Sequence, residues 1–591
     1  MSLVNLTING KSVTVENETT ILAAAKKLNI KIPSLCHLHM DEINMHNKCA
    51  SCRVCMVDTN RGLVPACATN VKEGMEVLTN TSRALQARKT VVELLLSDHP
   101  QDCLKCDKNG KCELQTIAAD LGIREVRYQG VKTDLGIDNS SKSIVKNHDK
   151  CILCRRCETM CTEIQQVGVL SGVNRGFETK VSTFFNENLC DTNCSFCGQC
   201  VAVCPTAALS EVNNIPHVWD AINNKDKCTV VQIAPAVRVA LGEEFGLEAG
   251  TVTTGKIVSA LRLLGFKYVF DTNFGADLTI LEEASEFVHR LKDNSNLPIL
   301  TSCCPAWVNY IEHHYPDLLH LPSSCKSPQN MFGAMAKHYL APKMDIEPKD
   351  MIVVSVMPCI AKKYEASRKE LGQDDILDVD ISITTRELAK MIKEAGIDFL
   401  SLEDDNFDNP MGESTGAADI FGATGGVLEA ALRTSYEWVT NEELENVNFE
   451  SVRGFNGIKE ASINVGGTIV NVCAASGLGN AKKIMEEVKA GNSKYHIIEI
   501  MACPGGCVAG GGQPYHLGNY DLVKARAKGL YNIDSSKSVR KSHKNESLCE
   551  LYKEFLGEPY SDLAHKYLHT HYFDRSNFFE SENKLCEVTE S

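Results

Sequence analysis

A chain of 591 residues, 43% hydrophobic and 23% charged, is too long for one hydrophobic core and too apolar for a disordered or collagen-like class, so roughly four or five globular domains are expected. Its net charge of -15 argues against a nucleic acid partner, and it has neither a leader-like start nor an apolar run of about 18 residues, so a soluble, cytoplasmic protein with no membrane attachment is expected. Its 27 cysteines, most in C-x2-C groups, suit metal ligation in a reducing compartment better than a disulfide framework.

In chain order, Val4-Asn5-Leu6-Thr7-Ile8, the turn Asn9-Gly10 and Ser12-Val13-Thr14-Val15 predict a hairpin, and Ile21 to Leu28 a helix. This opening resembles a beta-grasp ferredoxin and sets a first domain at 1–79. Five thiols, Cys36, Cys49, Cys52, Cys55 and Cys67, compete there for the four positions of a 2Fe-2S cluster. The stretch Cys52-Arg53-Val54-Cys55-Met56-Val57 resembles the ligand loop of the FeFe-hydrogenases and of a related complex I subunit. That resemblance implies Cys36, Cys52, Cys55 and Cys67 as ligands, with Cys49 as the spare thiol that can replace a neighbour.

Residues 80–130 carry His99, Cys103, Cys106 and Cys112. One histidine with three cysteines is also a structural zinc set. Their position after the 2Fe-2S domain, as in those same proteins, implies instead a His-ligated 4Fe-4S cluster. A neutral imidazole in place of a thiolate removes a negative charge and should set its potential apart from its neighbours'. Residues 140–212 hold two runs, Cys151, Cys154, Cys157, Cys161 and Cys194, Cys197, Cys200, Cys204, the pattern of a bacterial two-cluster ferredoxin. In such runs the fourth cysteine crosses over, giving one 4Fe-4S cluster on Cys151, Cys154, Cys157 and Cys204 and another on Cys161, Cys194, Cys197 and Cys200.

From 213 to 525 apolar strands alternate with amphipathic helices, and runs such as Met351 to Val356 read as strands covered on both faces. The whole is therefore a multidomain α+β and α/β protein. Three thiol-bearing loops stand out here: Thr301-Ser302-Cys303-Cys304-Pro305-Ala306-Trp307, Met357-Pro358-Cys359-Ile360-Ala361-Lys362-Lys363 and Met501-Ala502-Cys503-Pro504-Gly505-Gly506-Cys507. Together they resemble the three active-site signatures of the FeFe-hydrogenases. The resemblance implies a two-lobed domain binding an H-cluster, a 4Fe-4S cubane on Cys304, Cys359, Cys503 and Cys507 joined through Cys507 to a di-iron unit with CO, cyanide and a bridging azadithiolate.

Around that cofactor, Lys362 offers cationic donors for cyanide, Gln329 and the backbone at Ala234 and Pro235 offer polar contacts, and Met357, Phe421 and Met501 supply a soft apolar wall. Cys303 resembles the family's terminal proton relay, with Glu283, Ser323 and Glu286 as the rest of the path. Glu283 and Glu286 share a helix face at i,i+3, a spacing more usual for a solvated face.

The tail, 526–591, resembles the small subunit that some family members carry as a separate chain, and is expected to wrap the catalytic domain rather than bind metal. The reading is an enzyme that reversibly reduces protons to H2 with electrons from ferredoxin or flavodoxin, its di-iron unit supplied by maturation proteins. The rivals are a subunit of a multimeric NADH-linked or sensory hydrogenase and a non-catalytic Fe-S assembly protein. Residues 1–130 carry a formal +2 and the remainder -17, which favours approach of an acidic carrier at the N-terminal end.

Overall fold

The computed structural model describes residues 2–38, 40, 47, 49–293 and 295–576. Leu3–Ile8 pairs antiparallel with Lys11–Glu16, and Asn9 and Gly10, at φ of 51° and 78°, make the tight turn between them. The Thr20 hydroxyl accepts from Ala23 N at 3.2 Å and caps the helix Ile21–Lys27, which buries Ile21, Leu22, Ala24 and Ala25 against the sheet. Met75–Leu78 runs parallel to the first strand, and the hairpin Met56–Thr59 with Gly62–Pro65 completes five strands. The helix Ser82–Asp98 then delivers His99 at its C-terminal cap, and Cys112 stands at the N-cap of Glu113–Asp120. In the two-run ferredoxin domain each run closes with a short helix, Arg156–Thr159 and Gln199–Val203, entered through left-handed Arg155 and Gly198.

The catalytic region has two sheets, as the resemblance implies. In the first, Tyr268–Asp271, Cys228–Ile233, Met351–Met357 and Ile381–Thr384 lie side by side, all parallel, with Cys228–Ile233 buried along its whole length. In the second, Ile299–Leu300, Ile497–Met501 and Thr468–Ser476 are parallel and Ile458–Val465 closes the edge antiparallel. The helix Thr272–Asp293 packs on Pro328–Met335 and Gly426–Thr440 and is buried as far as Phe287. That burial turns what its sequence offers as a polar face into an interior one.

The tail packs as expected. Leu548, Leu551, Leu556, Ala564 and Leu568 join Phe270, Phe274, Met331 and Phe332 in one core, each buried leucine contributing about 1.5–3 kcal/mol. Its last described segment pairs with the 324–326 backbone, Lys326 N donating to Leu568 O at 2.8 Å and Thr570 N to Ser324 O at 2.7 Å.

Candidate active site

Each signature loop leaves the C-terminal end of a parallel strand, where open α/β sheets place their sites: Cys303 and Cys304 after Ile299–Leu300, Cys359 after Met351–Met357, Cys503 after Ile497–Met501. The third loop doubles back through Gly505 and Gly506, at φ of 92° and 98°, and a Cβ on Gly506 would meet Thr424 N at 2.6 Å. Cys304, Cys359, Cys503 and Cys507 thereby face one cavity with about 800 Å³ of atom-free space. Ala234, Pro235, Gln329, Met357, Lys362, Phe421, Met501 and Cys303 line the same cavity, so all the residues singled out around the cofactor are brought together.

The donor set fits a thiolate-bound cluster. Burial, then the neighbouring thiols, push Cys359 and Cys503 well up, and Cys507 to about 12. Burial alone therefore holds these thiols neutral, and coordination to iron would supply the positive charge that stabilises thiolates there. Ala502 N lies 3.5 Å from Cys304 Sγ, a peptide donor aimed at sulfur.

Lys362 Nζ stands 2.7 Å from Glu365 Oε2 and 3.2 Å from Cys303 O. Burial works against its charge, but Glu365 more than offsets this and holds the ammonium above its usual range. Gln329 accepts from Ser355 Oγ at 2.8 Å and donates to Glu365 at 3.1 Å, so its amide orients the lysine's partner. The Ala234 N–H closes the sheet on Val356 O, and Ala236 O accepts from Gln513 Nε2, so much of this loop's polar capacity is already engaged. Glu365 is a residue that sequence reasoning misses, although its i,i+3 spacing from Lys362 signals the pair.

Cys303 sits at the cavity wall, and behind it the acidic chain assembles. Burial, then the adjacent Glu283, push the Cys303 thiol well up, so it holds its proton at neutrality rather than titrating there as its ordinary value suggests. Burial, then Glu286, lift Glu283 to about 8, with the nearby Ser302 N–H and Ser323 hydroxyl pulling the other way, and its Oε1 has no hydrogen-bond partner among the described residues. Ser323 Oγ donates to Glu286 Oε2 at 2.8 Å, and Arg290 Nη2 meets Glu286 Oε1 at 2.5 Å. Arg290, one helical turn beyond Glu286, is a further member that the sequence does not mark.

The thiols of the first domain also converge. Cys36 makes side-chain contacts with Cys52 and Cys67, and Cys55 with Cys67. Cys49 stands beside them, its Sγ 3.2 Å from Cys67 O. The buried His99 Nδ1 has no hydrogen-bond partner among the described residues, an orphaned ring nitrogen that fits a metal ligand better than a plain packing role. Burial pushes Cys157, Cys194 and Cys200 well up.

The cluster-bearing loops touch one after another. Buried Arg156 pairs with Glu113, beside Cys112, and donates to His37 O at 2.9 Å and Val203 O at 3.5 Å, beside Cys36 and Cys204. Lys108 donates to Cys204 O. At the other end, Gln199 Nε2 donates to Ala509 O at 3.0 Å, and a Cβ on Gly511 would meet Gly198 O at 2.7 Å. The loop of Cys197 and Cys200 is thus in backbone contact with the loop of Cys507. No helix among the described residues is long and apolar enough to cross a membrane.

Family models match five stretches of the chain. Residues 227–511 match the C-terminal domain of the iron only hydrogenase large subunit, and 520–575 match the iron hydrogenase small subunit. Residues 88–127 match the NADH-ubiquinone oxidoreductase-G iron-sulfur binding region, 2–82 a 2Fe-2S cluster binding domain and 191–210 a 4Fe-4S binding domain. The chain is 55% identical to the NADP-reducing hydrogenase subunit HndD of Solidesulfovibrio fructosivorans over 97% of its own length and 100% of that protein. It is 42% identical to iron hydrogenase 1 of Clostridium pasteurianum over 96% of its length and 99% of that protein. Its structure is similar to that of the FeFe-hydrogenase HydA1 of Chlamydomonas reinhardtii, with a TM-score of 0.56 at 42% identity over 61% of this chain and 99% of that one. With its thiols, its cavity and its full-length relatives in agreement, the chain belongs to the FeFe-hydrogenase family, enzymes that reversibly reduce protons to H2.

Proposed function

We propose that residues 1–79, 80–130 and 140–212 hold one 2Fe-2S cluster on Cys36, Cys52, Cys55 and Cys67, a 4Fe-4S cluster on His99, Cys103, Cys106 and Cys112, and two further 4Fe-4S clusters. Electrons pass through these to the H-cluster in residues 213–525, wrapped by the tail at 526–591. The H-cluster, with its CO, cyanide and azadithiolate ligands installed by maturation proteins, supplies the two-electron reduction of protons when bound. The chain's own residues then do three things. Cys304, Cys359, Cys503 and Cys507 hold the cofactor. Lys362, kept cationic by Glu365, anchors its anionic ligands, while Gln329, Ala234, Pro235, Met357, Phe421 and Met501 shape a dry pocket around it. Protons travel from Glu286 through Ser323 and Glu283 to Cys303, a protonated buried carboxyl serving a thiol at the cavity wall.

The observation that carries this reading is the meeting of four thiols from three separate loops at one cavity, with Cys303 and a buried carboxylate chain behind it. Infrared spectra of the matured enzyme test it: bands of metal-bound CO and cyanide are expected, and their absence from an active preparation would overturn the cofactor assignment. Many free cysteines grouped for metal ligation suit a reducing compartment, which supports the cytoplasm. The basic-leaning N-terminal domains support ferredoxin or flavodoxin as carrier. A second reading, a subunit of an NAD(P)-linked assembly, is favoured by the full-length similarity to HndD. H2-driven reduction of ferredoxin by the purified chain alone separates the two; reduction of NADP+ only in the presence of co-purifying subunits supports the second.

A further inference from the structure

Beyond Glu286 the proton path meets a group drawn from the tail. Ser324 Oγ lies 3.3 Å from Glu286 Oε2 and 2.7 Å from His569 Nδ1, and His569 Nε2 lies 3.0 Å from Glu282 Oε2. Glu282 is held in turn by the Tyr552 hydroxyl and by Tyr560 N at 2.9 Å. The His569 ring is buried, but the ring of exposed His565 lies 4.2 Å from it, centroid to centroid. No cysteine or carboxylate is spaced with the histidines of residues 565–571 to complete a metal site, so the sequence alone reads them as packing residues.

Arg290 is the other group on Glu286 that leads outward, and its guanidinium also binds Leu321 O, Pro322 O and Asn296 O. A guanidinium does not give up its proton in this pH range, so Arg290 can orient Glu286 but cannot relay to it. Imidazole is the side chain that ordinarily exchanges protons near neutrality. The ligating atoms of Glu286, Cys325 and His569 also lie within 4.8 Å of one another, a spacing that suits a metal ion. Both ring nitrogens and both Glu286 oxygens are, however, already hydrogen-bonded within the protein, which suits a proton wire rather than an open coordination site.

We propose that His569 is the proton-loading station of the path, feeding Glu286 through Ser324. The proposal rests on the Cys303, Glu283, Ser323 and Glu286 path above. In the step, cationic His569 gives its Nδ1 proton to Ser324 Oγ while the Ser324 hydroxyl proton passes to Glu286 Oε2. One proton moves, Glu286 becomes neutral, and His569 is left neutral with its Nε2 proton held on Glu282. The groups facing His569 are Glu282, Glu286, Ser324, Cys325, Tyr552, Tyr560 and His565, with Glu282 and Glu286 the carboxylates among them.

The test uses matured full-length enzyme with reduced viologen, so that electron docking is bypassed. His569→Asn keeps a polar side chain of similar size but cannot carry a proton. It is expected to lower H2 evolution by about tenfold, with a steeper fall as pH rises because protons become scarce, and with infrared bands and Tm unchanged. Added imidazole should restore part of the lost rate, which a packing role would not allow. Ser324→Ala, which cuts the wire one atom further in, should give the same loss without that rescue. Wild-type rates across the pH range in both variants would overturn the proposal. Glu286→Gln separates the two readings: if it is inactive while both variants run normally, only the His569 branch fails, and if it too runs normally, the underlying path fails. Should His569→Asn not fold, Ser324→Ala alone decides.

Discussion

Glu283 and Cys303 carry the most direct consequences at the scale of single residues. Because folding favours the protonated form of Glu283, lifted to about 8 by burial and by Glu286, its contribution to stability is full at acid pH and is lost as pH rises from the unfolded carboxyl's value toward 8. Glu283→Gln should therefore flatten the decline in Tm of the unmatured protein between about pH 5 and 8, while removing turnover after maturation. A variant that keeps the wild-type slope would place the titration on another group. Cys303→Ala should lose about a hundredfold in H2 evolution with its CO and cyanide bands intact, since a methyl group carries no proton, and Cys303→Asp should keep a fraction. Near wild-type turnover in Cys303→Ala would remove the thiol from the path. The cysteines were legible in the sequence because ligation fixes their spacing within short loops. Arg290, Ser324 and His569 were not, because His569 reaches the path from 283 residues beyond Glu286 and only the folded chain brings them together.

Among elements, the helix Thr272–Asp293 shows how far a pattern can mislead. Glutamates at 283 and 286 read as a wet face, yet the fold buries both, with Arg290 and Ser323 bonding Glu286 while Tyr552 and His569 bond the neighbouring buried Glu282. Parallel strands, by contrast, announced themselves, since a strand covered on both faces is predominantly apolar. The contact between the loop of Cys197 and the loop of Cys507 depends on two glycines meeting backbone to backbone. Gly511→Ala places a methyl 2.7 Å from Gly198 O and should cost about 1–3 kcal/mol through overpacking. Calorimetry should show a lowered Tm, and stopped-flow reduction should show slower electron arrival at the catalytic domain with its infrared bands preserved. An unchanged rate would mean that the two loops are not the electron's crossing point.

For the whole molecule the decisive property is its uneven charge. With +2 over residues 1–130 and -17 over the rest, an acidic carrier would be steered toward the domains of residues 1–130. Ferredoxin-driven activity should therefore fall more steeply with ionic strength than viologen-driven activity, and removing residues 1–130 should widen the gap between the two donors' rates. Equal losses with both donors would point to docking on the two-run ferredoxin domain. The reading of these domains drew on cysteine spacing, the opening hairpin and the resemblance to the FeFe-hydrogenases, whereas their mutual contacts were not legible, because they run through arginine, lysine and glycine positions that no ligand pattern marks.

Arg156 gives that arrangement a further property. One buried guanidinium holds the carboxylate next to Cys112 and the peptide carbonyls next to Cys36 and Cys204, so three cofactor loops share a single keystone. Loading them is then a collective event rather than three independent ones: each cluster that seats itself lowers the entropy left for its neighbours to lose. A chain starved of iron should accordingly populate empty and fully loaded forms at the expense of mixed ones, a distribution that native mass spectrometry can count, and Arg156→Ala should fill in the middle.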